Sequence, residues 1–479
     1  MDSDVSRSSL LQQAPAGGYR ELLAIAIPMV LSASTQSMMH FVDRMFLTWY
    51  SGKAMAAALP AGILLWSCLS LPFGIVSYAN AFVAQYDGAK QPARVSASIW
   101  QAVYFAVGLG LLMMLPALFA DGIFEAIGHE PAVQVFEAEY FSWLCLGVVP
   151  TLLPAALSCY FSGRGQTRMV LLVNASSVLV NAALDSVLIF GWGPFPRWGV
   201  AGAAIATNLA NVYATVCYIL LLTRSEPRLG YSFWRHWRFD RVLSWDLLRF
   251  GGASGLQMFL DVAGFTAFMM IIGLIGTREL EATNIAFTLN HLAFSPVIGV
   301  GIAVSTLVGQ RIGEGRPEVA ARSAIRGFVL AGGIMLACGS VYVFAPQLLL
   351  APYAYRAESA NFAEVRGMVV QLLRFVALYS FFDAMAIVFG AAVRAAGDTL
   401  FSMVVTCVCA WGLLVLPTYL TWKYYGQDLL FWSWVWCSVY VMTLGFVFVV
   451  RFAGGKWKSM SVMEPAPPPI VPLDQTTLA

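Results

Sequence analysis

The chain has 479 residues, of which 59% are hydrophobic and only 11% charged, and its mean hydropathy is +0.72. A soluble domain carries roughly 25% charged residues, so the composition sets aside a water-soluble enzyme or binding module and points to a polytopic membrane protein. A net charge of +2 gives no support to nucleic-acid binding.

Residues 1–19 are polar, and no small-residue cleavage site follows a short apolar core, so the first helix is expected to remain as an anchor. A spanning helix needs about 20 mainly apolar residues. Runs of that kind lie at 21–49, 55–83, 97–119, 132–160, 170–192, 199–223, 245–274, 282–308, 324–349, 367–392, 400–421 and 429–452, which predicts an all-α protein of twelve spans. Basic residues collect on the cytoplasmic side of a membrane. Alternate connections carry eighteen Lys and Arg, from Arg7 and Arg20 through Lys456 and Lys458. The other set carries only Lys53, Arg197, Arg278, Arg356 and Lys423. Both termini are therefore expected in the cytoplasm, with the chain in the inner (plasma) membrane.

The sixth connection, residues 224–244, contains "RHWRFDR" and divides the spans into an N-lobe, 20–223, and a C-lobe, 245–453. Internal similarity supports that division. Val83-Ala84-Gln85-Tyr86-Asp87-Gly88 with Pro92 matches Val308-Gly309-Gln310-Arg311-Ile312-Gly313 with Pro317, and Arg164-Gly165-Gln166-Thr167 resembles Ala396-Gly397-Asp398-Thr399. A shift of six helices preserves orientation, so the lobes are expected to be related by a pseudo-two-fold along the membrane normal, the geometry of a rocking secondary transporter. Residues 454–479, with "EPAPPPIVP", lack periodicity and are expected to be a disordered tail.

Polar groups inside the spans carry the functional signal. Asp43, Asp185, Asp261 and Asp383 stand in apolar surroundings, where a carboxylate near the bilayer centre costs roughly 2.5–3.5 kcal/mol. In the fifth span Asn174, Asn181 and Asp185 share one helical face, where amides beside a carboxylate suit a proton or a hard cation. In the tenth, Tyr379 and Asp383 are one turn apart. In the seventh, Gln257 precedes Asp261 by one turn. Arg44 is read as snorkelling toward an interface, and His40, on the face of Asp43, as a structural histidine outside the site. The eight cysteines have neither metal nor disulfide spacing. Phe41, Phe46, Phe381 and Phe382 flank the acids, and aromatic faces beside carboxylates suit a lipophilic organic cation. No GxxxxGK[ST], GxSxG or HExxH pattern occurs, so an ion gradient is the expected energy source and an enzyme is not expected.

Four stretches, "FVDRMFLTWYSGKAMAA", "GRGQTR" with "VNAALDSVLIFGWGPFPRWGVAGAAIAT", "LVGQRIGEG" and "YSFFDAMAIVFGAAVRAAGDT", resemble the multidrug and toxic compound extrusion family, especially its NorM-like branch. The likeness covers about residues 20–452. It implies a V-shaped pair of six-helix lobes exporting cationic, amphipathic compounds against H+ or Na+. It also implies an N-lobe site at Asp43, Asn181 and Asp185, with Tyr140 and Thr207 in its hydrogen-bond network. A C-lobe cation site, able to take Na+, is implied at Asp261, Tyr379 and Asp383. Two departures stand out: Asp261 where that branch commonly has Glu, and Arg44 where a small polar residue is usual. A proton is favoured over sodium because all four Asp can carry protons. No cofactor is expected, the partners are the bilayer and small organic cations, and the chain is expected to be monomeric. The alternative is an ion-coupled flippase of lipid-linked glycan precursors, which would need a basic cavity for pyrophosphate.

Overall fold

The computed structural model describes residues 17–193, 195–229, 233–354 and 359–463. Most of the expected polar N-terminal segment and the proline-rich part of the expected tail, 464–479, lie outside the described residues. Among those described, helices account for nearly all regular structure and no strand occurs.

Among the described residues twelve spans are present, counting one bent helix pair as a single span. They are α1 Tyr19–Tyr50, α2 Gly52–Gly88, α3 Pro92–Ile127, α4 Pro131–Gly163, α5 Thr167–Phe190, α6 Gly199–Arg224, α7 Arg241–Ile275, α8 Thr277–Gly313, α9 Pro317–Phe344, α10 Glu364–Ala395, α11 Thr399–Tyr424 and α12 Leu429–Ala453. α4 counts as one span with a 44° bend at its break. The bend sits at Gly147, where an added Cβ would come 1.6 Å from Asn208 Oδ1, so α6 occupies the space a side chain would need. The helix of α6 continues to Leu229, taking in the first six residues of the stretch expected to be linker. In α11 a π-helical turn, Ala410–Val415, precedes Pro417 and packs beside Gly264 of α7. The missing proline N–H favours such a local change of pitch.

The internal repeats are repeats of backbone as well as of letters. Gln91 N–H donates to Tyr86 O after α2, and Arg316 N–H donates to Arg311 O at the same place after α8. Lys90 and Gly315 supply the left-handed residue of these two turns. After α4 and α10 the pattern recurs: Gln166 N–H to Phe161 O, Asp398 N–H to Val393 O, with Gly165 and Gly397 at positive φ.

Close crossings join the lobes in reciprocal pairs. At Gly74 of α2 an added Cβ would lie 2.5 Å from the Gly255 Cα of α7, and at Gly299 of α8 one would lie 2.6 Å from the Val30 N of α1. Gly88 and Gly313 are tighter still: a Cβ on either would fall 2.0 Å from the carbonyl oxygen of Gln310 or Gln85 on the opposite lobe. Hydrogen bonds gather at the same end. Gln85 Nε2 donates to Ala395 O (2.7 Å) and Gln310 Nε2 to Gly163 O (3.2 Å), two equivalent bonds running in opposite directions between the lobes. Tyr78 OH donates to Arg394 O (2.8 Å), Thr306 Oγ1 to Ser162 O (3.2 Å), and Gln310 Nε2 also to Asp87 Oδ2 (3.3 Å). Toward the other end His40, Phe41 and Arg44 of α1 and His291 and Leu292 of α8 stay accessible. The lobes are thus joined at the end that carries the basic connections.

One expectation is corrected. The tail expected to be disordered from Gly454 is placed as far as Met463. Trp457 is fully buried, stacks on Phe452 at 4.9 Å and donates to Phe452 O (2.8 Å) in the C-lobe. Ser461 Oγ and Val462 N–H then both donate to Gln85 Oε1 of the N-lobe (2.8 and 3.0 Å), and Val462 enters the N-lobe core. An aromatic anchor and a buried amide acceptor supply local order that periodicity does not report.

Replacing Gly313 by Val would drive a side chain into the Gln85 carbonyl, an overpacking that typically costs about 1–3 kcal/mol. The expected result is faster deuterium uptake in residues 80–90 and 306–314 relative to the wild type, measured by hydrogen exchange with mass spectrometry. Unchanged uptake would mean that this contact does not hold the lobes together.

Candidate ion-coupling site

In the N-lobe, α1 and α5 pack side by side and bring Asp43, Asn181 and Asp185 together. Asp185 and Asn181 are fully buried and Asp43 is 4% exposed. Asn181 and Asp185 meet Asp43 because four residues return the helix to the same face. The two carboxyl groups and the amide come within interaction range, and Tyr140 of α4 faces both acids. Even so, Asp43 Oδ1, both Asp185 oxygens and both polar atoms of the Asn181 amide make no hydrogen bond of ordinary geometry. A polar atom left unmet in such surroundings costs about 1–3 kcal/mol, and more when charged.

Two other expected members are placed differently. Thr207 Oγ1 donates to Ala203 O of its own helix (3.1 Å). Asn174 donates to Ser32 Oγ (2.7 Å) and accepts from Tyr218 OH (3.3 Å), which ties α5 to α1 and α6. Eleven residues separate it from Asp185, about 16 Å along the helix, so a shared face does not make a shared site.

In the C-lobe, α7, α10 and α12 bring Asp261, Tyr379 and Asp383 into one region. The clearest partner of Asp261 is Tyr440 of α12, whose hydroxyl donates to Asp261 Oδ1 at 2.9 Å. Tyr440 and Cys437, one turn apart, face Asp383 as well. Tyr440 was legible only as one of several hydroxyls in the last span, beside Ser433, Ser438 and Thr443, too common a signal to single out. Asp261 remains accessible although protein surrounds it closely, as befits a side chain lining an internal cleft. Gln257 donates to Thr406 Oγ1 of α11 (3.0 Å), leaving its Oε1 unpartnered one turn from Asp261.

His40 and His291 lie close enough across the lobes to influence one another, and His40 also faces Asp43 and Arg44. The cleft wall therefore includes the histidine read from sequence as structural, and a second one that the sequence did not mark. Among the described residues no three His, Cys, Asp or Glu side chains converge as a metal site. A sodium ion near Asp261 would accordingly draw on two carboxylates and phenolic hydroxyls.

A two-lobed bundle of twelve spans with a pair of carboxyl groups inside each lobe has the architecture of a secondary transporter. The MatE family model matches residues 28–187 and again 253–420, one match in each lobe. The chain belongs to the multidrug and toxic compound extrusion (MATE) family. Among similar proteins is a probable multidrug resistance protein NorM of Bradyrhizobium diazoefficiens, 26% identical over 85% of this chain and 87% of its own. Another of the same description from Thermotoga maritima is 24% identical over 93% and 94%. Solved structures share the fold. One described as the outward-facing conformation of a multidrug resistance MATE family transporter gives a TM-score of 0.83 at 18% identity, covering 93% of this chain and 98% of that one. A second, from Pyrococcus furiosus, has a binding pocket described as of reverse polarity and gives 0.81 at 18% identity over 94% and 98%.

The two classes of buried polar residue separate in a melting experiment. Asn174→Ala is expected to lower stability by about 1–2 kcal/mol, since it leaves Ser32 and Tyr218 without their partner. Asp185→Asn is expected to melt no lower than the wild type, because Asn is of the same shape and breaks no hydrogen bond that Asp185 makes. Thermal unfolding of the purified variants followed by tryptophan fluorescence checks both, and a lower midpoint for Asp185→Asn would count against the site.

Proposed function

We propose that the protein exports amphipathic organic cations in exchange for H+ or Na+ by alternating access, working as a monomer in the inner membrane with both termini in the cytoplasm. The observation that carries this reading is the pair of intramembrane acidic clusters, Asp43 with Asp185, buried, in one lobe and Asp261 with Asp383, more accessible, in the other. The multidrug resistance description of the NorM relatives points the same way.

A carboxyl group can hold either a proton or an organic cation, and binding of one disfavours the other. Asp43, Asp185 and Asn181 form the N-lobe coupling group with Tyr140, while Asp261, Asp383, Tyr379, Tyr440 and Gln257 form the C-lobe group. Aromatic faces at Phe41, Phe381 and Phe382 would receive the lipophilic part of the cargo. To turn inward, the lobes must release the Gln85 and Gln310 bonds at the basic end and close at the other. A proton is the favoured coupling ion, since every acid in both groups is an aspartate able to carry one. One proton crossing about 150 mV supplies about 3.5 kcal/mol, enough for roughly 300-fold accumulation. A carrier of lipid-linked pyrophosphate is disfavoured, because the paired interior charges are acidic and Arg44 is the one arginine flanking the N-lobe cluster.

Each of Asp43→Asn, Asp185→Asn, Asp261→Asn and Asp383→Asn, at normal abundance in inverted vesicles, is expected to reduce gradient-driven ethidium transport at least about tenfold in one lobe's pair or both. Undiminished transport by all four variants would overturn the assignment.

A further inference from the structure

The segment between the lobes forms a surface that the transport cycle leaves unexplained. Its backbone is turned inward and fastened to α3: Trp100 Nε1 donates to Phe233 O (3.0 Å), Gln101 Nε2 to Arg238 O (3.3 Å), and the Tyr104 hydroxyl to Trp237 O. Phe233 is buried against Trp100 in a stack at 5.1 Å. With the carbonyls held on one side, the larger side chains project outward. Trp237, Phe239 and Trp245 are 58, 66 and 65% exposed. So many wide aromatic faces left to water would be costly, whereas a headgroup layer is where Trp and its amphipathic ring settle.

Charge on the same stretch is basic and uncommitted. Asp240 caps α7 by accepting from Val242 and Leu243 N–H (both 3.1 Å) and is paired with Arg94 at 2.9 Å. Asp246 is influenced by Arg249. Arg235, Arg238 and Arg241 are left exposed with no ion-pair partner among the described residues. Arg241, Ser244, Trp245 and Leu248 follow one face of α7 and, with Phe239 and Phe105 of α3, line a groove of ≈ 510 Å³. Along that face a guanidinium comes first, an indole one turn further and a leucine on the next turn. The order matches phosphate, glycerol and acyl chain in one leaflet.

We propose that this groove binds one anionic phospholipid of the leaflet on the basic side, with its phosphate against the lining Arg241 and against Arg238, exposed one residue before the lining Phe239, and an acyl chain along Trp245, Leu248 and Phe105. The lipid then anchors the inter-lobe segment at the membrane surface while the lobes move. Binding is independent of the transport reading, because lipid retention is measured without cargo or gradient.

The test uses the full chain, purified in a neutral detergent, delipidated and titrated with phosphatidylglycerol or phosphatidylcholine of matched chains, with bound lipids counted by native mass spectrometry. The wild type is expected to retain one phosphatidylglycerol at least about fivefold more tightly than phosphatidylcholine. The Arg238→Gln/Arg241→Gln variant is expected to lose that preference, Trp245→Ala to retain less of both lipids, and Arg249→Gln, outside the groove, to behave as wild type. Should the double variant not fold, Arg241→Gln alone is expected to lose at least about half of the preference. Preference unchanged in the arginine variants, or displacement of the lipid by inorganic phosphate at equal concentration, would overturn the proposal.

Discussion

Backbone held against backbone at one end of the molecule is the contact on which the remaining geometry depends. Gly88 and Gly313 let two helix ends from opposite lobes meet at the carbonyls of Gln310 and Gln85, and each glutamine then reaches into the other lobe for a second carbonyl. A methyl group on either glycine would break the fit. Because the two contacts are reciprocal, neither lobe is the fixed one. The lobes are closed at this end by polar links, by tight glycine crossings and by apolar packing, in which Leu22, Ile25 and Ala26 of α1 share a core with α8, and Phe250 of α7 meets the rings of Tyr78 and Phe82 of α2. Opening this end therefore exposes apolar area as well as breaking hydrogen bonds. The C-terminal residues Ser461 and Val462 add two bonds to Gln85, so the last described stretch of chain helps to close the same junction.

With one end closed, the acids of both lobes flank a single cleft under different conditions. Asp43 and Asp185 are buried, with Asp43 Oδ1 and both Asp185 oxygens lacking a hydrogen-bond partner, whereas Asp261 is met by Tyr440 and stays accessible. The two acidic pairs thus differ in burial and in hydrogen bonding. In the proposed cycle the rocking lobes would move both groups together. Tyr379 and Gln257 stand near the second pair on α10 and α7, and Tyr140 near the first on α4.

Much of this architecture was legible beforehand. Twelve spans follow from length and apolarity, and the two lobes from the Gln85 and Gln310 repeats, since lipid leaves a chain few alternatives to helices of fixed minimum length. The acidic positions were visible because a carboxylate in an apolar run is expensive wherever it points. What the residues facing it are was not visible. Asn174 has the right helical phase and the wrong depth, because periodicity fixes an angle and says nothing of the neighbouring helix. Tyr440 and His291 are common residue types whose role comes from the helix opposite. The order of residues 456–463 escaped notice for a similar reason: Trp457 and the Gln85 amide are far apart in sequence, and only packing brings them into one strap.

The central claim is that organic cation and coupling ion compete for the same carboxyl groups. Proton release measured with an indicator dye, on adding tetraphenylphosphonium to the purified protein in weakly buffered solution with and without sodium, tests it most directly. The account predicts a stoichiometric release of protons, or displacement of bound sodium, that shrinks in Asp185→Asn and Asp383→Asn. Tight binding of the cation with neither ion displaced would contradict it.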